Sequence, residues 1–180
     1  MIKQTDPRDI RLFKPLLILG LTMIGIIYFL SIINTGGDWL WFQSRAVDIR
    51  PDRIRILHYG EETFIQPGHI DYEPLADAAE ASLSDFNNTD LINLGLGEST
   101  LDYFNDQGVL LELFYDQPVT FRASFRTGEP TQLLVPIEGR HAGHNYFFRG
   151  AKGEWWFGAM RMTDSTALLT ALREQGYLTN

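Results

Sequence analysis

Apolar and polar positions alternate along this chain with three different rhythms. From Leu16 to Ile33, LLILGLTMIGIIYFLSII, the chain is apolar almost throughout: twelve of the eighteen residues are Leu, Ile or Phe and none is charged. At about 0.3–0.6 kcal/mol each near a helix centre, twelve such residues favour insertion into a bilayer by about 4–7 kcal/mol. At about 1.5 Å per residue the run reaches roughly 27 Å, close to the thickness of a hydrocarbon core. It predicts one membrane-spanning helix over 15–34, behind a cytoplasmic tail over 1–14 and ahead of a juxtamembrane aromatic segment and linker over 35–52.

Beyond residue 52 the rhythm alternates between two and about 3.6. Arg53 to Tyr59 and Thr63 to Gln66 alternate around Gly60-Glu61 and predict a hairpin. Tyr72, Leu75, Ala76, Ala79, Leu83 and Phe86 fall on one helical stripe, with Asp71 as N-cap and Asn87-Asn88 as terminator. Leu91 to Gly97 fits either a short strand or a loop. Strands follow at Leu101–Phe104, Val109–Tyr115, Val119–Arg126, Thr131–Ile137, Asn145–Arg149 and Glu154–Met162, separated by polar turns that mostly contain glycine. A last helix starts at Thr163-Asp164-Ser165 and ends before Gly176 at the C′ position. The order ββ-α-β(4-5)-α predicts one α+β domain over 53–180, a largely antiparallel sheet with helices packed on one face. A closed barrel is the alternative.

The flanks of the span set its orientation. Lys3, Arg8, Arg11 and Lys14 precede it, and the first basic residue after it is Arg45. Positive charge close to the span stays cytoplasmic, so the N-terminus is expected inside and the domain outside. A cleaved signal peptide shares the charged start, but it needs a shorter core and small residues before its cleavage site. The exit here reads Ile32-Ile33-Asn34-Thr35, which favours an uncleaved signal-anchor.

After the span, Trp39, Trp41 and Phe42 occupy the level where amphipathic rings settle among headgroups. The same residues suit contact with another membrane protein, because Trp is a favoured interface anchor. The string Asp38-Trp-Leu-Trp-Phe-Gln-Ser44 resembles a short juxtamembrane segment in a family of large multi-span proteins; the resemblance covers Asp38 to Ser44 alone and carries no function over.

Composition narrows the chemistry. With no cysteine, the chain has no disulfide, thiolate metal site or Cys nucleophile. Between Arg55 and Arg122 there are thirteen acids and no Lys or Arg, whereas from Arg122 to Arg161 there are six bases against three acids. The two segments either face and neutralise each other or form a dipolar surface. Net acidity without a Lys/Arg stripe argues against nucleic acid.

Candidate catalytic motifs fail one by one. No G-x-S-x-G elbow or phosphate-binding glycine loop is present, and the Asn105–Gly108 turn lacks carboxylates at the end positions of a calcium loop. His141 and His144 are weak metal candidates, since a site would need further ligands from His58, His69 or carboxylates. Glu112 shares a strand face with Leu110 and Phe114 and is expected in solvent, because acids are seldom buried without a partner. Trp156 and Phe148 either lie under a helix or form an exposed patch. No catalytic residue and no cofactor is assigned. The pattern points to a non-enzymatic interaction module, an accessory subunit or assembly factor bound to the bilayer and to another membrane protein. A small-ligand or ion-sensing domain is the alternative, and an enzyme a more distant one.

Overall fold

The computed structural model describes residues 7–178, with side chains from Phe13 onward. The uninterrupted apolar run forms helix α1, Pro7–Asn34, of which Phe13–Asn34 is long and apolar enough to cross a membrane. From Phe13 onward its side chains are mostly exposed, with Tyr28 and Ser31 half-buried and Ile32 buried at the exit. The N-terminal tail expected over 1–14 has its first six residues outside those described.

The domain is α+β with antiparallel sheets. The strands are β1 Arg45–Val47, β2 Arg53–His58, β3 Glu61–Ile65, β4 Val109–Phe114, β5 Thr120–Arg122, β6 Gln132–Glu138, β7 Tyr146–Ala151, β8 Glu154–Trp155 and β9 Met160–Arg161; the helices are α2 Tyr72–Leu83, α3 Glu98–Phe104 and α4 Thr166–Glu174. The main sheet runs β3-β2-β4-β6-β7-β8, with β9 also on β7, and β1 pairs with β5 in a separate ribbon. The β2–β3 hairpin, α2 and α4 fall where the periodicity put them. Helix α4 ends as expected at Gly176, φ +82°, with Tyr177 N–H closing back on the Leu172 carbonyl at 2.9 Å.

Several expectations are corrected. Leu101–Phe104 is not a strand but the end of α3, because Leu101 and Phe104 are three apart and Glu98 favours a helix N-terminus. Helices do not cover one face alone. Ile54, Ile56, Leu111, Leu113, Leu133, Val135 and Phe147 pack under α2 and α4. Leu57, Leu110, Leu134 and Phe148 on the reverse face pack against Phe104 of α3 and the 92–96 segment. Strands apolar on both sides demand cover on both. Residues 45–52, read as linker, supply β1 and the buried Ala46 and Ile49. Finally, Asp71 makes no cap bond; its carboxylate accepts from the Tyr177 hydroxyl at 3.0 Å, which ties α2 to the C-terminus.

The expected strand 154–162 is broken in two around Arg149. Gly158 turns at φ +96°, and the Arg149 guanidinium takes its carbonyl at 3.1 Å. Strand β7 therefore pairs at one end with β8 and at the other with β9.

Candidate juxtamembrane contact site

The site is built where α1 meets the domain. Gly36 and Gly37, at φ +85° and +98°, end the helix in a conformation only glycine adopts easily, and Gly37 N–H closes on the Ile32 carbonyl at 2.8 Å. The Asp38 carboxylate accepts from Leu40 N–H at 2.9 Å, bending the chain into a short 3-10 turn at Trp41–Gln43. Tyr28, near the end of α1, donates its hydroxyl to the Trp39 carbonyl at 2.6 Å, and the two rings lie 6.4 Å apart. Trp39 remains 63% exposed and Phe42 57%, while Trp41 meets Phe42 edge-on at 6.0 Å and is half-buried. Of the three aromatics singled out from the sequence, Trp39 is thus held against Tyr28 and Trp41 against Phe42, with Trp39 and Phe42 open to their surroundings.

The domain grips this segment through arginines that sequence reasoning did not single out. Arg126 donates from Nε to the Asn34 carbonyl at 3.1 Å, placing a cation at the C-terminal pole of α1. Arg122 donates to the Gln43 side-chain oxygen at 2.8 Å. Between Thr35–Asp38 and Val119–Glu129 lies a cleft of about 570 Å³, lined by Arg122, Arg126, Asp38 and Glu129. Arg149, 2% exposed, anchors its floor. Its guanidinium donates to the Thr127 and Gly158 carbonyls and lies 5.9 Å from the Trp156 ring, which in turn packs beneath Gly128. Burial pushes the Arg149 pKa down, to about 10, so it stays charged at neutral pH.

The charge asymmetry of the sequence resolves unexpectedly. Five of the thirteen acids of the middle segment pair with arginines that precede it. Arg50 bridges Glu73, Asp77 and Glu80 on α2, and Arg55 reaches Glu62 at 2.9 Å and Glu112 at 2.7 Å. The arginines from 122 to 161 bond instead to neutral groups: Gln43, the Asn34 carbonyl, the Ser99 carbonyl from Arg140, the two carbonyls on Arg149, and the Tyr146 hydroxyl from Arg161. Among the described residues none of these five forms an ion pair. The two segments do not neutralise each other through contact.

Glu112 also departs from expectation. It is 6% exposed, because its cross-strand neighbour Arg55 brings a counter-charge to it on the reverse face. Burial raises its pKa, against the pull of Arg55.

His141 and His144 lie on the β6–β7 loop, at the opposite end of the sheet from the 119–131 excursion. His141 sits 6.0 Å from the Phe148 ring and His144 stacks on Tyr146 at 5.2 Å. Burial, aided by Arg140 and His144, lowers the His141 pKa. Among the described residues no three His, Cys, Asp or Glu side chains converge in a metal-binding group. Phe148 is buried against α3, whereas Phe157, not Trp156, is the exposed aromatic of its loop. Compared with known proteins, the chain matches no family model, and no curated protein or solved structure resembles it significantly.

Proposed function

We propose that this is a single-pass membrane protein with its N-terminus in the cytoplasm, whose extracytoplasmic domain is a non-enzymatic interaction module serving a membrane complex as accessory subunit or assembly factor. One observation carries the reading. The domain is clamped to the end of its own span by Tyr28–Trp39, Arg126–Asn34 and Arg122–Gln43, with Trp39 and Phe42 left exposed beside the clamp. A mere tether needs no such clamp, and a flexible linker would serve it. A fixed joint presents the aromatics at one depth and one angle, which is what docking beside a partner's helices requires. The cytoplasmic N-terminus rests on the four basic residues that precede the span.

The test is purification of the tagged full-length protein in mild detergent, with mass spectrometry of what co-elutes, beside a photo-cross-linker placed at position 42 or at the distant, exposed Ile70. A specific companion that cross-links from 42 and not from 70, and is lost in Trp39→Ala/Phe42→Ala, is the expected result. A lone monomer with no cross-link from position 42 overturns it.

A further inference from the structure

We propose that the juxtamembrane cleft binds the headgroup of a phospholipid carrying both a phosphate and a primary ammonium. The inference rests on α1 spanning the bilayer and is independent of any partner protein. Three observations converge on it. The first is depth: Arg126 bonds the last carbonyl of the span, so the cleft opens at the level where headgroups begin, a layer about 5–7 Å thick on each side of the hydrocarbon core. The second is charge: the cleft is lined by two cations, Arg122 and Arg126, and two carboxylates, Asp38 and Glu129, and none of the four is in an ion pair with any described residue. A purely anionic headgroup satisfies only the arginines. A zwitterion satisfies both signs. The third is an acceptor left over: Asp38 uses Oδ1 on Leu40 N–H, while its Oδ2 is enclosed and has no hydrogen-bond partner. Asp38 lines the cleft, and an N–H donor that reached this oxygen would satisfy it.

Arg122 and Arg126 each spend one donor on a neutral oxygen, and a guanidinium carries five, so both retain donors for a phosphate. Two acceptor carboxylates facing an ammonium select a primary amine over a quaternary one, which has no N–H to give. At about 570 Å³ the cleft is in the usual size range for small-ligand sites, roughly 300–1,000 Å³. Its floor is stiffened by Arg149 and Trp156 beneath Gly128.

The full-length protein is incorporated into nanodiscs of phosphatidylcholine doped with phosphatidylethanolamine or phosphatidylglycerol, and retained lipid is read by native mass spectrometry on release. Failure to incorporate would refute the span, separately from the site. Retention of phosphatidylethanolamine about tenfold over phosphatidylcholine is expected, as the loss of one charge-assisted hydrogen bond implies. Glu129→Gln, at an exposed residue, should reduce that preference at least threefold, and Arg122→Gln/Arg126→Gln should lower retention about 30-fold. Arg140→Gln, at the far end of the sheet, should change neither, and unchanged thermal melting shows that each variant is folded. Equal retention of all three lipids, preference for phosphatidylglycerol, or a preference that survives both sets of substitutions overturns the proposal. Displacement of the lipid by free phosphoethanolamine at stoichiometric amounts also overturns it, because the ligand would then be a soluble phosphomonoester.

Discussion

Arg149→Met removes a buried cation while keeping most of its length and its apolar stem. The wild-type guanidinium is 2% exposed, donates to the Thr127 and Gly158 carbonyls, lies over Trp156 and has no carboxylate partner among the described residues. A hydrogen bond to a charged group contributes about 1.5–3 kcal/mol, so two of them amount to roughly 3–6 kcal/mol. Against that stands the cost of holding an unpaired charge out of water, which methionine no longer bears. The two abandoned carbonyls keep the balance unfavourable, and a net loss of about 2–4 kcal/mol is expected. For a domain of this size that is roughly 6–15 °C in melting temperature. Tryptophan fluorescence of the full-length protein in mild detergent measures it, since Trp156 reports on the site directly. Hydrogen exchange should quicken first at 127–128 and 158, the backbone that Arg149 pins. Arg149→Lys should recover less than half of the loss, because one ammonium cannot fork to two carbonyls as a guanidinium does. A variant melting within about 2 °C of wild type refutes the idea that this cation holds the cleft floor together.

Two further outcomes test the interior of the sheet. Glu112 has a folded-state pKa above its ordinary value, so between the two values the folded state binds more protons than the unfolded, and stability falls as pH rises through that window. The stability of wild type relative to Glu112→Gln should therefore decline from pH 4.5 upward and level off above the raised pKa, as measured by urea titration across pH; a difference independent of pH, or one that rises with pH, contradicts the burial of this carboxylate. Gly108 sits at φ +73° with the Glu138 carbonyl oxygen only 2.4 Å from where a Cβ would stand, whereas Gly143 at φ +76° has open space around it. Gly143→Ala should cost about 1–2 kcal/mol and Gly108→Ala about 2–5 kcal/mol; equal melting temperatures for the two would show that the turn into β4 is looser than the structure has it.

What the sequence made legible depends on how far apart the deciding residues lie. Helix α1 rests on a long apolar run and α2 and α4 on helical periodicity with end signals, and each helix is found in its place. Helix α3 has seven residues, too short for the spacing of Leu101 and Phe104 to outweigh the strands around it. Glu112 looked exposed because its strand shows no partner; the partner, Arg55, arrives through β2–β4 register and lies 57 residues earlier in the chain. The candidate site divides along the same line. Trp39, Trp41 and Phe42 lie within four residues, follow a long apolar helix and need only their position to be noticed. Arg122 and Arg126 reach the same spot from separations of 79 and 92 residues. The reversal of charge at Arg122 was their one trace in the sequence, and it could be taken as complementary to the acidic segment before it. The five of those acids that form ion pairs with arginine find their cations upstream, in Arg50 and Arg55, and none pairs with the later arginines. Two of them are then carried by the β1–β5 ribbon and the loop after it to the end of the span. Charge that the fold does not consume, delivered to the end of α1 beside two carboxylates also left without an ion pair among the described residues, makes the joint between helix and domain the place where specificity is to be sought.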